Sequence, residues 1–243
     1  LRMQTWIVLS AVFGALLASF ANVLIYRLPN NINLVIPATS FCPSCKTKIN
    51  WYDKVPIFSW LFLKGNCRHC GQEISMRYII VEMLGALFAV LACFHFGFNM
   101  TALTALLLFI NLMAIAIIDW QHQIIPHTLT ISGMVIGLAL APYNNRGIED
   151  AIIGAIMGAC IILLLSYGYK AFTSRHGMGG GDILLLAMIG TYFGPVGAAI
   201  ILFVAAILVI LFVTLVRRWR IERTDKLSLG SFLSVATILM LLS

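Results

Sequence analysis

Long runs of apolar residues dominate the hydropathy pattern of this chain, and almost no charged side chain interrupts them. A surface helix of a soluble protein shows a polar face, whereas a helix that crosses a bilayer is apolar all round over about 20 residues. The pattern here is of the second kind, broken at proline, glycine and asparagine. The apolar segments are 6–25, 78–97, 101–118, 128–142, 151–169, 182–193, 196–216 and 229–242. We therefore predict an all-α polytopic membrane protein with about eight transmembrane helices.

The composition supports this prediction, because 61% of the residues are hydrophobic, only 10% are charged and the mean hydropathy is +0.98. Such a chain has too few polar side chains to cover an ordinary soluble core. Its only long polar stretch follows the first apolar segment. We predict a first transmembrane helix over 1–25, a polar insert over 26–77 and a seven-helix membrane domain over 78–243.

The distribution of basic residues predicts how these helices are oriented. If the polar insert is cytoplasmic, every lysine and arginine except Arg2 and Arg146 falls on the cytoplasmic side. Because cytoplasmic loops of membrane proteins are rich in these residues, this orientation is strongly favoured, with both termini outside. The net charge of +7 is then a topology signal, and we expect membrane lipid rather than nucleic acid around the protein.

Two acidic residues at the ends of apolar segments are candidates for a functional site. Asp119 follows the run 106–118, and Asp182 follows the glycines of Gly177–Gly181. An ionised group near hydrocarbon is costly and usually functional. Asp182 has a simpler explanation as an N-cap, but the helix dipole disfavours an acid at a helix C-terminus, where Asp119 is expected. The predicted topology puts both acids on the cytoplasmic side.

The short sixth segment predicts that this site lies below the membrane surface. A helix from Asp182 to Phe193 is only about 18 Å long, against about 30 Å of hydrocarbon. Non-helical backbone at such depth is tolerated where it lines a water-filled cavity. We therefore expect a wet pocket that opens toward the cytoplasm.

The chemistry of such an acid pair is open at this point. Two close carboxylates tend to share a proton, so that one can activate water while the other donates to a carbonyl oxygen, as in peptide hydrolysis. Paired intramembrane acids also carry protons or cations in transporters. A third possibility is a noncatalytic scaffold that recruits a partner through the polar insert. No HExxH motif and no convincing serine nucleophile offers another catalytic site.

Four cysteines in the polar insert have the spacing of a metal site. Cys42 and Cys45 form one CxxC pair, and Cys67 and Cys70 form a second one 21 residues later. Two such pairs supply the four thiolates of a structural zinc site. Two disulfides or four free thiols are the alternatives, but the reducing cytosol argues against disulfides. We expect zinc to stabilise an insert that is too short to form a large core by itself.

Several motifs, taken in order, resemble those of the type IV prepilin peptidases, which are bacterial membrane aspartic proteases with a GxGD motif. Gly179–Asp182 fits GxGD, and Asp119, Ile125-Pro126 and Leu129-Thr130 are similar to the first aspartate motif of that family. The other matching blocks are Ser19–Pro29, Cys42–Cys45, Pro56–Leu61, Cys67–Cys70 and Ile74–Tyr78 with Glu82.

The resemblance implies a bifunctional enzyme of the bacterial inner membrane. Its members remove the short basic leader of type IV prepilins or type II secretion pseudopilins on the cytoplasmic side, and many then methylate the new N-terminus with S-adenosylmethionine. The resemblance makes Asp119 and Asp182 the catalytic aspartates. It predicts no residues for the methyl donor, since no glycine-rich cofactor loop is visible. Leu184 and His127 replace residues that are common in the family.

Glu82 is a further acidic residue at the start of an apolar segment. It could shape the site of the substrate or the methyl donor. It could also simply pair with Arg77 or with a neighbouring helix, which we consider the better expectation.

Overall fold

The computed structural model describes residues 2–34, 40–143, 147–173, 179–217 and 228–241. Gly177 of the glycine stretch, Arg146 and most of the basic stretch after Arg217 lie outside these ranges. The described residues are helical apart from turns, loops and two isolated β-bridges. The helices are α1 (Arg2–Arg27), α2 (Phe58–Phe62), α3 (Arg77–Phe96), α4 (Met100–His122), α5 (His127–Leu140), α6 (Gly147–Thr173), α7 (Gly180–Arg217) and α8 (Leu229–Met240).

The helix lengths confirm the prediction of an all-α membrane protein. Five helices are long and apolar enough to cross a bilayer, namely α1, α3, α4, α6 and α7, whereas α5 and α8 are shorter and apolar. The sixth and seventh predicted segments are joined in α7, but the helical geometry is broken at Gly194, with φ 70° and ψ −176°. Pro195 follows, and its missing N–H cannot continue the hydrogen-bond pattern. The predicted boundary is therefore a break within one long helix.

The chain divides into two compact units, of which the first comprises residues 1–110. In this unit α1 packs against α3 through small residues, since a Cβ at Gly85 would lie only 2.8 Å from the carbonyl oxygen of Gly14. Close backbone approach through glycine is typical of membrane helices. The other faces of α1 expose large apolar side chains such as Phe13 and Phe20, which is what a lipid-facing surface requires.

The polar segment between α1 and α3 folds around short local elements. A 3₁₀ turn (Trp51–Lys54) precedes α2, and each β-bridge closes a tight turn. The buried carboxylate of Asp53 accepts two hydrogen bonds from the guanidinium of Arg68, at 2.6 and 3.0 Å. Paired contacts of this kind are among the stronger ion pairs, so this one links the 3₁₀ turn to the second cysteine pair.

The second unit comprises residues 111–243, and in its described part α7 packs against α5, α6 and α8. The contact of α6 with α7 is made by glycines. A Cβ at Gly154 would overlap the carbonyl oxygen of Gly190, and a Cβ at Gly190 would overlap that of Gly154. The two backbones therefore touch directly, and α6 holds α7, which carries Asp182, at a fixed separation.

Substitution of Gly154 by alanine tests this packing. Because the added methyl group has no space, we expect Gly154→Ala to destabilise the protein by about 1–3 kcal/mol. Gly168→Ala on the same helix is the matched control, because nothing lies within 4 Å of a Cβ placed on Gly168. The control should be neutral or stabilising by up to about 1 kcal/mol, since alanine favours helix more than glycine does. Thermal unfolding in detergent measures the stability change of each variant, and equal unfolding midpoints for the two variants would contradict the glycine contact.

Candidate active site and metal centre

Asp119 lies in the last turn of α4 and is buried, with 5% of its surface exposed. Its Oδ2 accepts a hydrogen bond of 2.7 Å from the backbone N–H of Ser231. The Ser231 hydroxyl lies 3.2 Å from the same oxygen and 3.0 Å from the carbonyl oxygen of Ala116, so its single proton can serve one of these acceptors at a time. The carboxylate is therefore held by the N-terminal turn of α8.

This arrangement explains how an acid is tolerated at the C-terminus of α4. Ser231 is the third residue of α8, where backbone N–H groups have no partner within their own helix. These groups and the positive end of the α8 dipole stabilise a negative charge. The α8 terminus thus compensates the unfavourable dipole of α4 at Asp119.

Aromatic contacts fix α8 in this position. The ring of Phe212 on α7 lies 5.4 Å from that of Phe232, the residue after Ser231. The same ring lies 5.9 Å from that of Trp120, the residue after Asp119, in an edge-to-face geometry. Such aromatic pairs add to the stability gained by burial. The residues next to Asp119 and to Ser231 are therefore joined through one aromatic side chain.

Asp182 occupies the third position of α7 rather than the N-cap position that its sequence context suggests. Its Oδ2 accepts a hydrogen bond of 3.2 Å from the N–H of Gly179, and its own N–H donates to the Gly179 carbonyl at the same distance. An acid at this position that bonds back to the start of its helix is half of a capping box. The contact orients the side chain and satisfies an N–H at the helix start.

The structure brings the two predicted acids into one site. The two carboxylates are near enough for the charge of Asp119 to act on Asp182. Ile125 lies between α7, which carries Asp182, and α8, which holds Asp119 by hydrogen bonds, since its side chain is 2.8 Å from a Cβ placed on Gly181 and 2.6 Å from one placed on Gly230. A larger residue at either glycine would displace Ile125 or the adjacent acid. Two carboxylates in this relation can share a proton and act as acid and base.

The sequence also singles out residues near the two aspartates. His122 ends α4 and His127 begins α5, and both are exposed. Leu184 is half-buried in α7. Sequence reasoning named Ile125 only as part of the first aspartate motif, and it missed Ser231 and Gly230, because the Ser231 contact joins residues 112 positions apart. The only available signal is the run of small residues at the start of the last apolar segment.

The four cysteines of the insert form one cluster. Their Sγ atoms all lie within 4.8 Å of one another, and the Sγ atoms of Cys42 and Cys70 are 3.9 Å apart. A tetrahedral zinc ion with Zn–S bonds of about 2.3 Å separates its sulfur ligands by about 3.8 Å. The thiol positions therefore fit a four-thiolate metal centre. The imidazole of His69 is not part of this cluster.

The two CxxC pairs adopt the same backbone turn. In each turn, the backbone carbonyl of the first cysteine accepts a hydrogen bond from the N–H of the residue that follows the second cysteine. The N–H of the first cysteine donates to the carbonyl of the next residue along the chain. The donors are Lys46 and Gly71, at 2.9 and 3.0 Å, and the acceptors are Thr47 and Gln72, at 3.0 and 2.8 Å. Both donor residues have positive φ, 58° at Lys46 and 69° at Gly71. This repetition is typical of paired metal-binding turns.

Hydrogen bonds to sulfur favour the thiolate form of one cysteine in each turn. In Cys70, a backbone hydrogen bond from Gln72 is outweighed by burial and the neighbouring thiols, which raise the pKa to about 11. Contacts from the side chain and backbone of Thr47 lower the pKa of Cys45 to about 6. The backbone N–H groups of Cys70 and His69 lower the pKa of Cys67. Because a metal ion binds the thiolate, these donors assist coordination.

Glu82 contacts the insert. It lies in α3, is 7% exposed, and its Oε2 accepts a hydrogen bond of 2.7 Å from the backbone N–H of Ile57. Its partner is thus a backbone group 25 residues earlier.

Comparisons with known proteins agree with these features. Residues 12–96 match the profile of the Bacterial Peptidase A24 N-terminal domain. Residues 106–214 match the profile of the Type IV leader peptidase family. The first match covers the cysteine cluster and the second covers both aspartates.

Curated relatives match over most of the chain, and the following three are all named prepilin leader peptidase/N-methyltransferase. The protein of Dichelobacter nodosus is 35% identical, over 81% of this chain and 78% of its own length. That of Stutzerimonas stutzeri is 31% identical, over 95% of this chain and 88% of its own. That of Pseudomonas aeruginosa is 30% identical, over 98% of this chain and 90% of its own length. No solved structure matches the chain significantly. On its matched profiles and relatives, this chain is a member of the type IV leader peptidase family.

Proposed function

We propose that this protein is a prepilin leader peptidase and N-methyltransferase of the inner membrane, with Asp119 and Asp182 as its catalytic pair. The observation that carries this proposal is the meeting of these two acids in one site, within the segment that matches the peptidase profile. The substrates are prepilins or type II secretion pseudopilins, which present a basic leader followed by an apolar helix.

The cleavage step needs only the two aspartates and water. One carboxylate takes a proton from water as the oxygen attacks the scissile carbonyl carbon, while the other, protonated, donates to the carbonyl oxygen. Breakdown of the tetrahedral intermediate breaks the C–N bond, and the leaving nitrogen receives a proton from the pair. No covalent enzyme intermediate forms. The backbone donors at Oδ2 of each residue support this role by fixing both carboxylates.

The transporter alternative has no support from the comparisons, since the relatives carry the names of an enzyme. The same names disfavour a noncatalytic scaffold. An acid pair close to the ends of two helices, rather than in their middle, also suits a reaction in a pocket that opens toward the cytoplasm.

The insert has two proposed ligands. Cys42, Cys45, Cys67 and Cys70 hold zinc, whose role is structural because all four coordination positions are filled by the protein. S-adenosylmethionine supplies the methyl group for the second activity. Both ligands are assigned to the N-terminal part of the chain, where residues 12–96 match a separate domain profile.

The proposed topology has eight membrane segments, with the break at Gly194 separating the sixth from the seventh. The insert and both aspartates face the cytoplasm, and both termini face outward, as the distribution of basic residues favours. The chain then meets its substrates on the side where they are synthesised.

The first test is the loss of cleavage in Asp119→Asn and Asp182→Asn. Each substitution keeps the shape and removes a proton-transfer group, so the rate should fall by about 100-fold or more. Mass spectrometry of a prepilin-like peptide, with a basic leader, a glycine and an apolar helix, identifies the products. The matched control is Asp150→Asn at an exposed site on α6, which should cleave normally. Cleavage by either dyad variant at the wild-type rate would contradict the proposal.

Removal of the Ser231 hydroxyl tests whether Ser231 positions the Asp119 carboxylate. Loss of its hydroxyl in Ser231→Ala should lower kcat about tenfold with little change in KM, since a hydrogen bond to a charged group is removed. Ser231→Thr should restore most of the rate. Ser234→Ala is the control, because the Ser234 hydroxyl donates to the Gly230 carbonyl of its own helix. A fall in kcat of equal size in both alanine variants would indicate a structural role alone.

The metal centre is tested by its zinc content. Wild-type protein purified under reducing conditions should hold a single zinc ion, and Cys67→Ser should lose it together with part of its thermal stability. Cys160→Ser, an exposed thiol on α6, is the control and should keep the metal. Elemental analysis by mass spectrometry gives the result, and metal-free wild-type protein with two disulfides would overturn the assignment.

A further inference from the structure

The first unit contains a cavity of about 610 Å³ between α1, α3 and the polar insert. Its size is that of a small-molecule site, and its walls combine aromatic and aliphatic side chains with a few polar groups. Tyr26, Trp60 and Tyr78 contribute rings, while Asn22 and Glu82 contribute buried acceptors. None of these five residues has a role in the cleavage proposed above.

Asn22 presents an acceptor that has no partner among the described residues. It is 2% exposed, and its Nδ2 donates a hydrogen bond of 3.1 Å to the carbonyl oxygen of Tyr78. This contact fixes the orientation of the amide, because a flipped amide would set two oxygens against each other. Oδ1 then accepts no hydrogen bond within the described chain. Buried acceptors are nearly always satisfied, so this atom indicates a missing donor.

Glu82 lies one helical turn after Tyr78 and therefore on the same face of α3 as the partner of Asn22. Its carboxylate accepts a hydrogen bond of 2.7 Å from the N–H of Ile57, and the Ser19 side chain also interacts with it. A carboxylate can accept about four hydrogen bonds, so acceptor capacity remains. The two buried acceptors thus face the cavity within about one turn of each other.

The backbone that meets Glu82 is strained. Ile57 has φ 65° and ψ −55°, and the N–H of Phe58 donates to the carbonyl of Pro56 at 2.6 Å, which makes a γ-turn with positive φ at a β-branched residue. Such conformations persist where surrounding structure enforces them, and they cluster at ligand sites. The turn directs the Ile57 N–H at Glu82 and holds the carboxylate in place.

Two nearby cationic side chains are engaged by other groups, while the exposed Lys54 also lines the cavity and the Arg77 guanidinium lies 5.3 Å from the centroid of the Tyr78 ring. The Arg27 guanidinium donates to the carbonyl oxygens of Asn33 and Leu34, at 3.0 Å each. Arg68 is paired with Asp53. Glu82 is thus the buried acid of this cavity that a ligand cation can approach.

We propose that this cavity binds a protonated primary amine, with the Glu82 carboxylate and Asn22 Oδ1 as acceptors and the aromatic rings around the cation. An ammonium group offers three donors and a positive charge, which match these acceptors and the ring faces. The inference rests on the proposed methyltransferase function, in which two molecules carry such a group. They are the amino-acid part of the methyl donor and the new N-terminus of the cleaved substrate.

The experiment compares ligand pairs that differ in the amine. S-adenosylhomocysteine is set against 5′-methylthioadenosine, which lacks the amino-acid part, and a short peptide beginning with phenylalanine is set against its N-acetylated form. Titration calorimetry on the zinc-loaded full chain in detergent gives each Kd. In wild-type protein, the amine-bearing member of one pair should bind at least about tenfold more tightly than its partner. The pair that shows this preference identifies the source of the amine.

Glu82→Gln and Asn22→Ala should each remove most of that preference, with the affinity for the amine-free member unchanged. Glu149→Gln, an exposed site on α6, is the control and should bind as wild type does. Zinc content and thermal midpoint verify folding, and retained binding of the amine-free member verifies the cavity itself. Equal binding within both pairs, or an undiminished preference in both variants, would overturn the inference. Peptide cleavage by wild type is assayed separately, so that failure of the proposed function is distinguished from failure of amine binding.

Discussion

The contact of the α8 N-terminus with Asp119 is the interaction on which the candidate active site depends. A buried carboxylate at the C-terminal end of its own helix faces the negative end of that dipole and has lost most of its water. Two donors from Ser231 and the dipole of α8 offset both costs. Removal of α8 would leave the acid without compensation, so the last helix is as much a part of the site as the helix that carries the residue.

Close backbone packing allows the elements of the site to meet. Glycines at 154 and 190 bring α6 and α7 into direct contact, and glycines at 181 and 230 leave room for Ile125 beside the two acids. In a membrane the hydrophobic effect adds little between helices, so close packing and polar contacts supply most of the association energy. The position of Asp182 is therefore set by backbone geometry, which varies less than side-chain rotamers do.

Local features of the sequence predicted much of this structure, whereas its long-range contacts left no signal in the sequence. The apolar runs predicted the helices, and Gly194-Pro195 predicted the break in α7, because these signals act over a few residues. The CxxC spacing predicted the cysteine cluster, since a four-ligand site constrains the chain wherever it occurs. In contrast, the partner of Asp119 comes from Ser231, and the partner of Glu82 comes from the γ-turn at Ile57. Neither pairing has a periodic signal, because backbone donors are the same in every residue.

The position of Asp182 shows the same limit at short range. Its context after glycines suggested an N-cap, but the helix begins two residues earlier, and the side chain bonds back to Gly179 instead. Glycine has no side chain with which to cap, so the acid three positions later satisfies the free N–H. The boundary of the helix thus decides which backbone N–H the side chain of Asp182 binds.

In both aspartates the engaged atom is a single oxygen, bound by a backbone N–H. A carboxyl group held at one oxygen cannot exchange its two oxygens by rotation without breaking that bond. Each acid therefore keeps one oxygen, Oδ2, fixed by the backbone. In the proposed hydrolysis, the proton would pass through the second oxygen of each acid, and little reorganisation of the pair would be needed as the charge moves.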